Sequence, residues 1–537
     1  MKIQIKEHVE KHIRFYKAAL MALVPLVMCI VTCAIEGYAI WDAYIPASDW
    51  NDELFYFKQV EGMVKYGYPY GYFGFNESHA EVLSFAAWSP VLVWPWLLWG
   101  FLFGWNLMSP IYCNIVVMMT AVFLFVWLVK PDVKQMLRMV VLFAAFPLFV
   151  RYMLSGMPEC TCFGMLIVFF GFAYAYMQEE KNSHIVGMFV ISGLLTLMRP
   201  YMIVFLVLPA VLLIWKRKWY GVGISAGIAG ITAVLYVLIK KFLAAEYFTP
   251  LFDTTWIGKY LKEGIAEGWR FMWNKLYVQG WDFIGKCMQG VKEGLATGNF
   301  FVGFLLVMVI VGLYALYRLV QGVRKSRASK QASLTGSEDY KTALIYGHYA
   351  FCCFAMWMAL LLMYKMQEGS KHLLTFIAAG LFAMAMMKVK YSLQVVLCSA
   401  VFIYLYFFMA VDAYDYQNRF QNEELVAEIE GTKEDFYEKL TLNTEDVPNY
   451  DNDVIWVTYD YDAQTGEQMT TDYQILYGLP AGFGISCCYP DFILDNFDTL
   501  QSKYICVPVG GNIDMLCQEY ELEAITQGMN AICYQLR

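Results

Sequence analysis

Apolar runs of about twenty residues, separated by short charged turns, recur from position 18 to position 411 of this chain. A helix rises ~1.5 Å per residue, so each such run is what one crossing of a ~30 Å hydrocarbon layer requires. In lipid every backbone N–H and C=O must find its partner inside the segment, which restricts the runs to helices. The composition agrees, because 59% of the residues are hydrophobic and only 16% charged, against about a quarter charged in soluble domains. The expected fold is an all-α polytopic membrane protein with a small extracytoplasmic α/β domain at the C-terminus.

The runs are expected at 18–40, 110–129, 138–156, 159–177, 185–199, 201–215, 220–243, 300–318, 342–364, 372–387 and 391–411, roughly eleven crossings. The basic N-terminus MKIQIKEHVEKHIRFYK precedes a first run without a small-residue cleavage site, so it reads as a retained helix with its N-terminus in the cytoplasm. The turns KPDVKQMLR, QEEKNSH and KRKW and the basic loop RLVQGVRKSRASKQASLTGSEDYK then fall inside. The segment from Trp88 to Trp105 contains Pro90 and Pro95. If it crossed, the charge bias would invert, so it is placed as an interfacial or re-entrant helix on the outer face. The chain thus runs N-in, C-out in a plasma (inner) membrane.

Two units follow: a transmembrane domain, 1–411, with outer loops 41–108 and 245–298, and an acidic tail, 412–537. The tail holds 24 acidic and 5 basic side chains, net −19, leaving 23 acids and 34 bases, net +11, in the remainder. The basic groups sit mainly in turns that set orientation, and no nucleic-acid partner is indicated. A charged helix is expected over 417–440, then strands in VIWVTYDY, YQILYGL, KYICVPV and AICYQLR. Five of the 14 cysteines lie in the tail, an odd number without zinc spacing.

The stretch most capable of chemistry is Ser48-Asp49-Trp50-Asn51-Asp52-Glu53-Leu54-Phe55-Tyr56, just beyond the first run. On a helix Asp49, Asp52 and Glu53 share one face, and crowded carboxylates raise one another's pKa, which suits a general base. The same acids could equally cap a juxtamembrane helix and face solvent. Arg151 and Arg199 interrupt apolar runs, where a charge is costly and marks a function by default. Either could instead snorkel to headgroups or pair with a nearby carboxylate such as Glu159, beyond Met157-Pro158, where a bridge with Arg151 is the plainer role. Lys371-His372 and the tryptophans Trp256, Trp269, Trp273 and Trp281 read first as interfacial anchors.

Three motifs in order resemble the GT-C class of membrane glycosyltransferases. Asp52-Glu53-Leu54-Phe55-Tyr56 with Lys65-Tyr66-Gly67 matches the acidic first loop of that class, which ends its short helix in glycine. Trp88-Ser89-Pro90-Val91-Leu92 through Phe103-Gly104-Trp105 occupies the place of its proline-containing aromatic helix, with Ser-Pro where many members have Pro-Pro. Leu197-Met198-Arg199-Pro200 resembles its Arg-Pro turn. The resemblance covers roughly residues 15–215 and carries no signature of one sugar.

It implies an enzyme of bacterial cell-envelope type, mannosyl- or arabinosyltransferase-like. Such an enzyme moves a hexose or pentose with inversion from a polyprenyl-phosphate-linked donor to an envelope glycan, lipid or protein. Asp52 would then be the base, with Glu53 or Asp49 orienting it or holding a divalent cation (magnesium or manganese). Arg199, Arg151, Lys371 and His372 would receive the donor phosphate, and Glu159 would help bind acceptor or metal. Two other classes compete. A transporter or flippase would want internal repeats and midplane acids, which are not evident, and an O-antigen-type polymerase or ligase an arginine-rich late outer loop, where 245–298 has only Arg270.

Overall fold

The computed structural model describes residues 2–45, 52–244, 255–297, 338–363, 423–439 and 450–537, apart from a few positions within these stretches, and scattered positions between 313 and 324. The expected runs at 372–387 and 391–411, and most of that at 300–318, lie outside the described residues.

The first part is a helical assembly: α1 (Lys2–Ile35), α2 (Asp52–Tyr66), α3 (Trp94–Phe103), α4 (Ser109–Val129), α5 (Val133–Ala145), α6 (Pro147–Met153), α7 (Glu159–Glu179), α8 (Asn182–Met198), α9 (Val207–Trp215) and α10 (Tyr220–Leu243). After these come α11 (Thr255–Glu263), the long α12 (Ile265–Thr297) and α13 (Glu338–Met363). Among the described residues four helices are long and apolar enough to cross a membrane, at His12–Ala34, Ser109–Val129, Glu159–Glu179 and Tyr220–Leu243. The chain is a multi-pass membrane protein.

Local chemistry explains most departures from the expected boundaries. The single run foreseen at 138–156 is two helices, because Pro147 opens α6 and a proline inside a helix removes a hydrogen bond and clashes one turn back. Arg199 is extended (φ −140°, ψ 106°) ahead of Pro200, as a residue before proline must be, and Pro200–Leu206 continues as a tighter 3₁₀ turn into α9. Pro90–Phe103 is too short to cross; Trp96 turns inward to a buried Asn114, while Leu102 and Phe103 stay exposed.

The helices meet at two chemically different ends. At one, Glu179 is ringed by Lys130, Lys181 and His184, Lys216 pairs with Glu180, and Arg14 stacks over Trp127 at 4.1 Å. At the other, the Ile45 N–H bonds the Leu107 carbonyl at 3.1 Å and Phe85 bridges to Ala244 at the end of α10. Asp52 and the tail domain are at this second end.

The tail begins with α14 (Glu423–Lys439) and carries β2 (Asp453–Val457), β3 (Tyr459–Tyr461), β4 (Gln468–Thr470), β5 (Gly484–Cys488), α15 (Pro490–Asn496), β6 (Tyr504–Pro508), α16 (Asn512–Glu519), β7 (Glu523–Gln527) and β8 (Ala531–Gln535). The expected strand at YQILYGL is instead a 3₁₀ turn, Gln474–Gly478, and GISCC beyond it makes β5. The sheet order is β1-β5-β2-β6-β8-β7. Its edge strand, β1 (Phe73–Phe75), comes from the first outer loop and lies parallel to β5, Phe73 opposite Ile485 and Phe75 opposite Cys487. All five tail cysteines are buried free thiols.

Candidate functional site

The site grows from the start of α2. Its first turn holds Asp52 and Glu53, where carboxylates gain from the unsatisfied N–H groups of a helix N-terminus. Asp52 is half-buried and Glu53 fully buried. The rest of α2 is clamped on both sides. Phe55 stacks on Phe73 of β1 with centroids 3.5 Å apart, and Phe57 stacks on Trp105 at 5.4 Å, whose indole N–H bonds the Phe57 carbonyl at 3.1 Å. On the tail side the buried Lys58 ammonium donates to Glu61 and to the Leu479 carbonyl, and the Tyr66 hydroxyl donates to the Ala481 carbonyl at 3.1 Å.

Opposite Glu53 stands the turn between α6 and α7. Asn114, fully buried on α4, donates from its amide nitrogen to the carbonyls of Tyr152 (3.2 Å), Ser155 (3.0 Å) and Met157 (3.2 Å), and accepts from the Trp96 indole at 2.9 Å. The turn so fixed points the Gly156 N–H at Glu53 Oε1, 3.1 Å away. A Cβ at Gly156 would sit 3.0 Å from that of Glu53, so glycine permits the approach.

The same turn leads to Glu159 at the head of α7, whose Oε1 meets Arg199 Nη2 at 2.5 Å. Both side chains are almost completely buried, at 2% and 1% exposure. Among the described residues the other Glu159 oxygen has no hydrogen-bond partner, so the pairing with Arg151 that the sequence offered does not form. Arg199 lies forty positions on, yet the packing of α8 beside α7 brings it closer than the near neighbour. Tyr56, one turn after Asp52, hydrogen-bonds the Arg199 side chain. Burial pushes the Tyr56 phenol well above its ordinary value; Arg199 opposes this, and Glu159 and Asp52 add to it. Asp52, Tyr56, Glu159 and Arg199 therefore share one electrostatic neighbourhood.

Of the residues singled out from sequence, Asp52, Glu53, Glu159 and Arg199 gather here. Arg151 ends α6 beside Tyr152, partly exposed. Asp49, Lys371 and His372 lie outside the described residues. Sequence reasoning gave no role to Tyr56, Gly156 or Asn114. A polar side chain inside an apolar run was the available signal for Asn114; for Gly156 there was none. Among the described residues no group of three His, Cys, Asp or Glu side chains is placed to hold a metal ion, and Asp49, the third carboxylate of the first outer loop, lies outside them.

No family model matches the chain, and no curated protein matches it significantly. Among solved structures it is similar to ArnT from Cupriavidus metallidurans bound to undecaprenyl phosphate, with 10% identity and a TM-score of 0.42 over 96% of this chain and 97% of that one. It is likewise similar to the oligosaccharyltransferase AglB from Archaeoglobus fulgidus in complex with an inhibitory peptide and a dolichol-phosphate, 12% identical with a TM-score of 0.43 over 95% of this chain and 71% of that one. The apo oligosaccharyltransferase from the same organism gives 11% identity and 0.44 over 95% and 73%.

Proposed function

We propose that the chain is an inverting glycosyltransferase, moving a sugar from a polyprenyl-phosphate carrier to a hydroxyl of a cell-envelope acceptor on the outer face of the plasma membrane. The observation that carries this reading is the buried Arg199–Glu159 pair, joined through Tyr56 to the helix turn that bears Asp52. A buried ion pair recovers its desolvation cost only in part, and ionised side chains within a membrane domain mark a functional site by default.

In the proposed step Asp52 takes the proton of the acceptor hydroxyl, whose oxygen attacks the anomeric carbon. The bond from that carbon to the phosphate oxygen breaks, and the electron pair leaves with the polyprenyl phosphate. Glu53, fixed by the Gly156 N–H, holds the turn rather than acting as base. Arg199 supplies positive charge where the leaving phosphate gathers negative charge, an effect worth about 3–4 kcal/mol when one such group is removed. A divalent cation, magnesium or manganese, held by Asp52 with Glu53 or Asp49 would add to that charge, and loss of activity in excess EDTA with recovery on adding the ion is the measurement that shows it. The clustering of Arg14, Lys130, Lys181 and Lys216 at the end away from Asp52 supports an N-in arrangement with the site outside. The roughly eleven crossings foreseen from the sequence would then leave the tail outside.

The test is incubation of the purified protein with a panel of polyprenyl-phosphate sugars, following loss of donor. Asp52→Asn should abolish that loss. A protein that instead moves lipid across vesicles, without consuming donor and equally well as Asp52→Asn, is a transporter and the proposal is wrong.

A further inference from the structure

Tyr477 is a buried phenol that the transfer step described above does not use. It is 3% exposed, and among the described residues its hydroxyl has no hydrogen-bond partner. Other tyrosines of the first outer loop and the tail are satisfied: Tyr66 donates to the Ala481 carbonyl, Tyr70 accepts from Asn452 at 3.1 Å, and Tyr534 donates to Asp514 at 2.6 Å. A buried hydroxyl without a partner costs about 1–3 kcal/mol and is retained only for a reason.

Its place suggests the reason. Tyr477 lies in the 3₁₀ turn Gln474–Gly478, and its ring leans on Phe57 of α2 with centroids 5.5 Å apart. Glu53 lies four positions before Phe57, one turn back on the same face of α2. Burial, reinforced by the Glu53 charge, holds the phenol well above its ordinary value, so it keeps its proton and stays a donor throughout the working pH range. The turn is not loose. Lys58 holds the next carbonyl, at Leu479, and Gly478 packs so closely on α14 that a Cβ there would lie 2.8 Å from the Lys433 nitrogen.

A rigid donor beside a carboxylate suits a group that can both accept and donate, and a carbohydrate hydroxyl is such a group. We infer that the Tyr477 hydroxyl donates a hydrogen bond to a sugar hydroxyl in the transfer site, so that the acidic tail supplies one wall of that site. The inference rests on the transferase reading. The sugar is the one transferred or one on the acceptor, and both have the same hydroxyl chemistry.

Tyr477→Phe tests it, since only the oxygen is lost. Because that oxygen has no partner among the described residues, thermal stability should hold or rise, whereas kcat/KM should fall about 10–100-fold, roughly 1.4–2.7 kcal/mol of lost transition-state contact. A rise in the donor KM assigns the contact to the transferred sugar, and a rise in the acceptor KM to the acceptor. Tyr66→Phe is the control, expected to lower stability and leave both KM values in place. If Tyr477→Phe matches the wild type in kcat/KM for both substrates, or loses stability as Tyr66→Phe does, the inference is overturned and the transferase reading stands. A wild-type protein that consumes no donor overturns both.

Discussion

Single side chains here differ in how far their removal should reach. Taking away one member of the Arg199–Glu159 pair leaves a buried charge unmatched, which costs about 3–5 kcal/mol. Arg199→Met and Glu159→Gln should each lower the unfolding midpoint clearly in detergent, while Arg199→Met with Glu159→Leu restores much of the stability and none of the transfer. Recovery of activity in the double variant would show that the pair is structural only. Asn114 acts through the turn it pins. Asn114→Ala removes the donor from the Ser155 and Met157 carbonyls and the acceptor from the Trp96 N–H, while the Tyr152 carbonyl keeps the Ser155 hydroxyl, for an expected loss of about 2–3 kcal/mol, with a fall in kcat larger than any change in KM. Gly156→Ala separates the two effects: its Cβ presses on Glu53, so kcat should drop about tenfold with little change in midpoint, roughly 1.4 kcal/mol of barrier.

At the scale of elements, the seam between α2 and the tail decides where Asp52 stands. α2 buries Leu54, Phe55, Phe57, Val60 and Met63 in the core, and its position against the tail is set by Phe55 on Phe73, Lys58 on the Leu479 carbonyl and Tyr66 on the Ala481 carbonyl. The chain comes so close at Gly71, φ +77°, that a side chain would run into the Gly482 carbonyl at 2.3 Å. Lys58→Met should therefore loosen the seam, costing about 3 kcal/mol by leaving Glu61 and the Leu479 carbonyl without their donor. Protease nicking within 467–484 should become faster while α4 and α7 stay protected. Equal protection in variant and wild type would mean that the stacked aromatics alone hold the two parts together.

For the whole molecule, the separation of a basic end from the end bearing Asp52 makes sidedness measurable. A cysteine placed at Glu338, next to the most basic loop, should resist a membrane-impermeant thiol reagent applied from outside and react after the membrane is opened. Eleven native cysteines, among them all five of the tail, are buried and offer little background. Labelling from outside would reverse the arrangement and place Asp52 in the cytoplasm, where the proposed donor chemistry would have to face the other way.

The sequence by itself determined the solvent, the helices and the candidate carboxylates. Length and hydropathy act locally, so α4 and α10 stand within a residue of where their apolar runs end, and Pro200 bends the backbone wherever it is placed. The same local logic put Asp49, Asp52 and Glu53 on one helix, which holds for the last two, the helix beginning at Asp52. Only the tertiary structure decided which carboxylate meets which cation, that Gly156 supplies the N–H for Glu53, and that Phe73–Phe75 leaves its own loop to complete the tail sheet. Those are agreements between segments tens to hundreds of positions apart, settled by how helix ends and strand edges pack. No spacing along the chain encodes them.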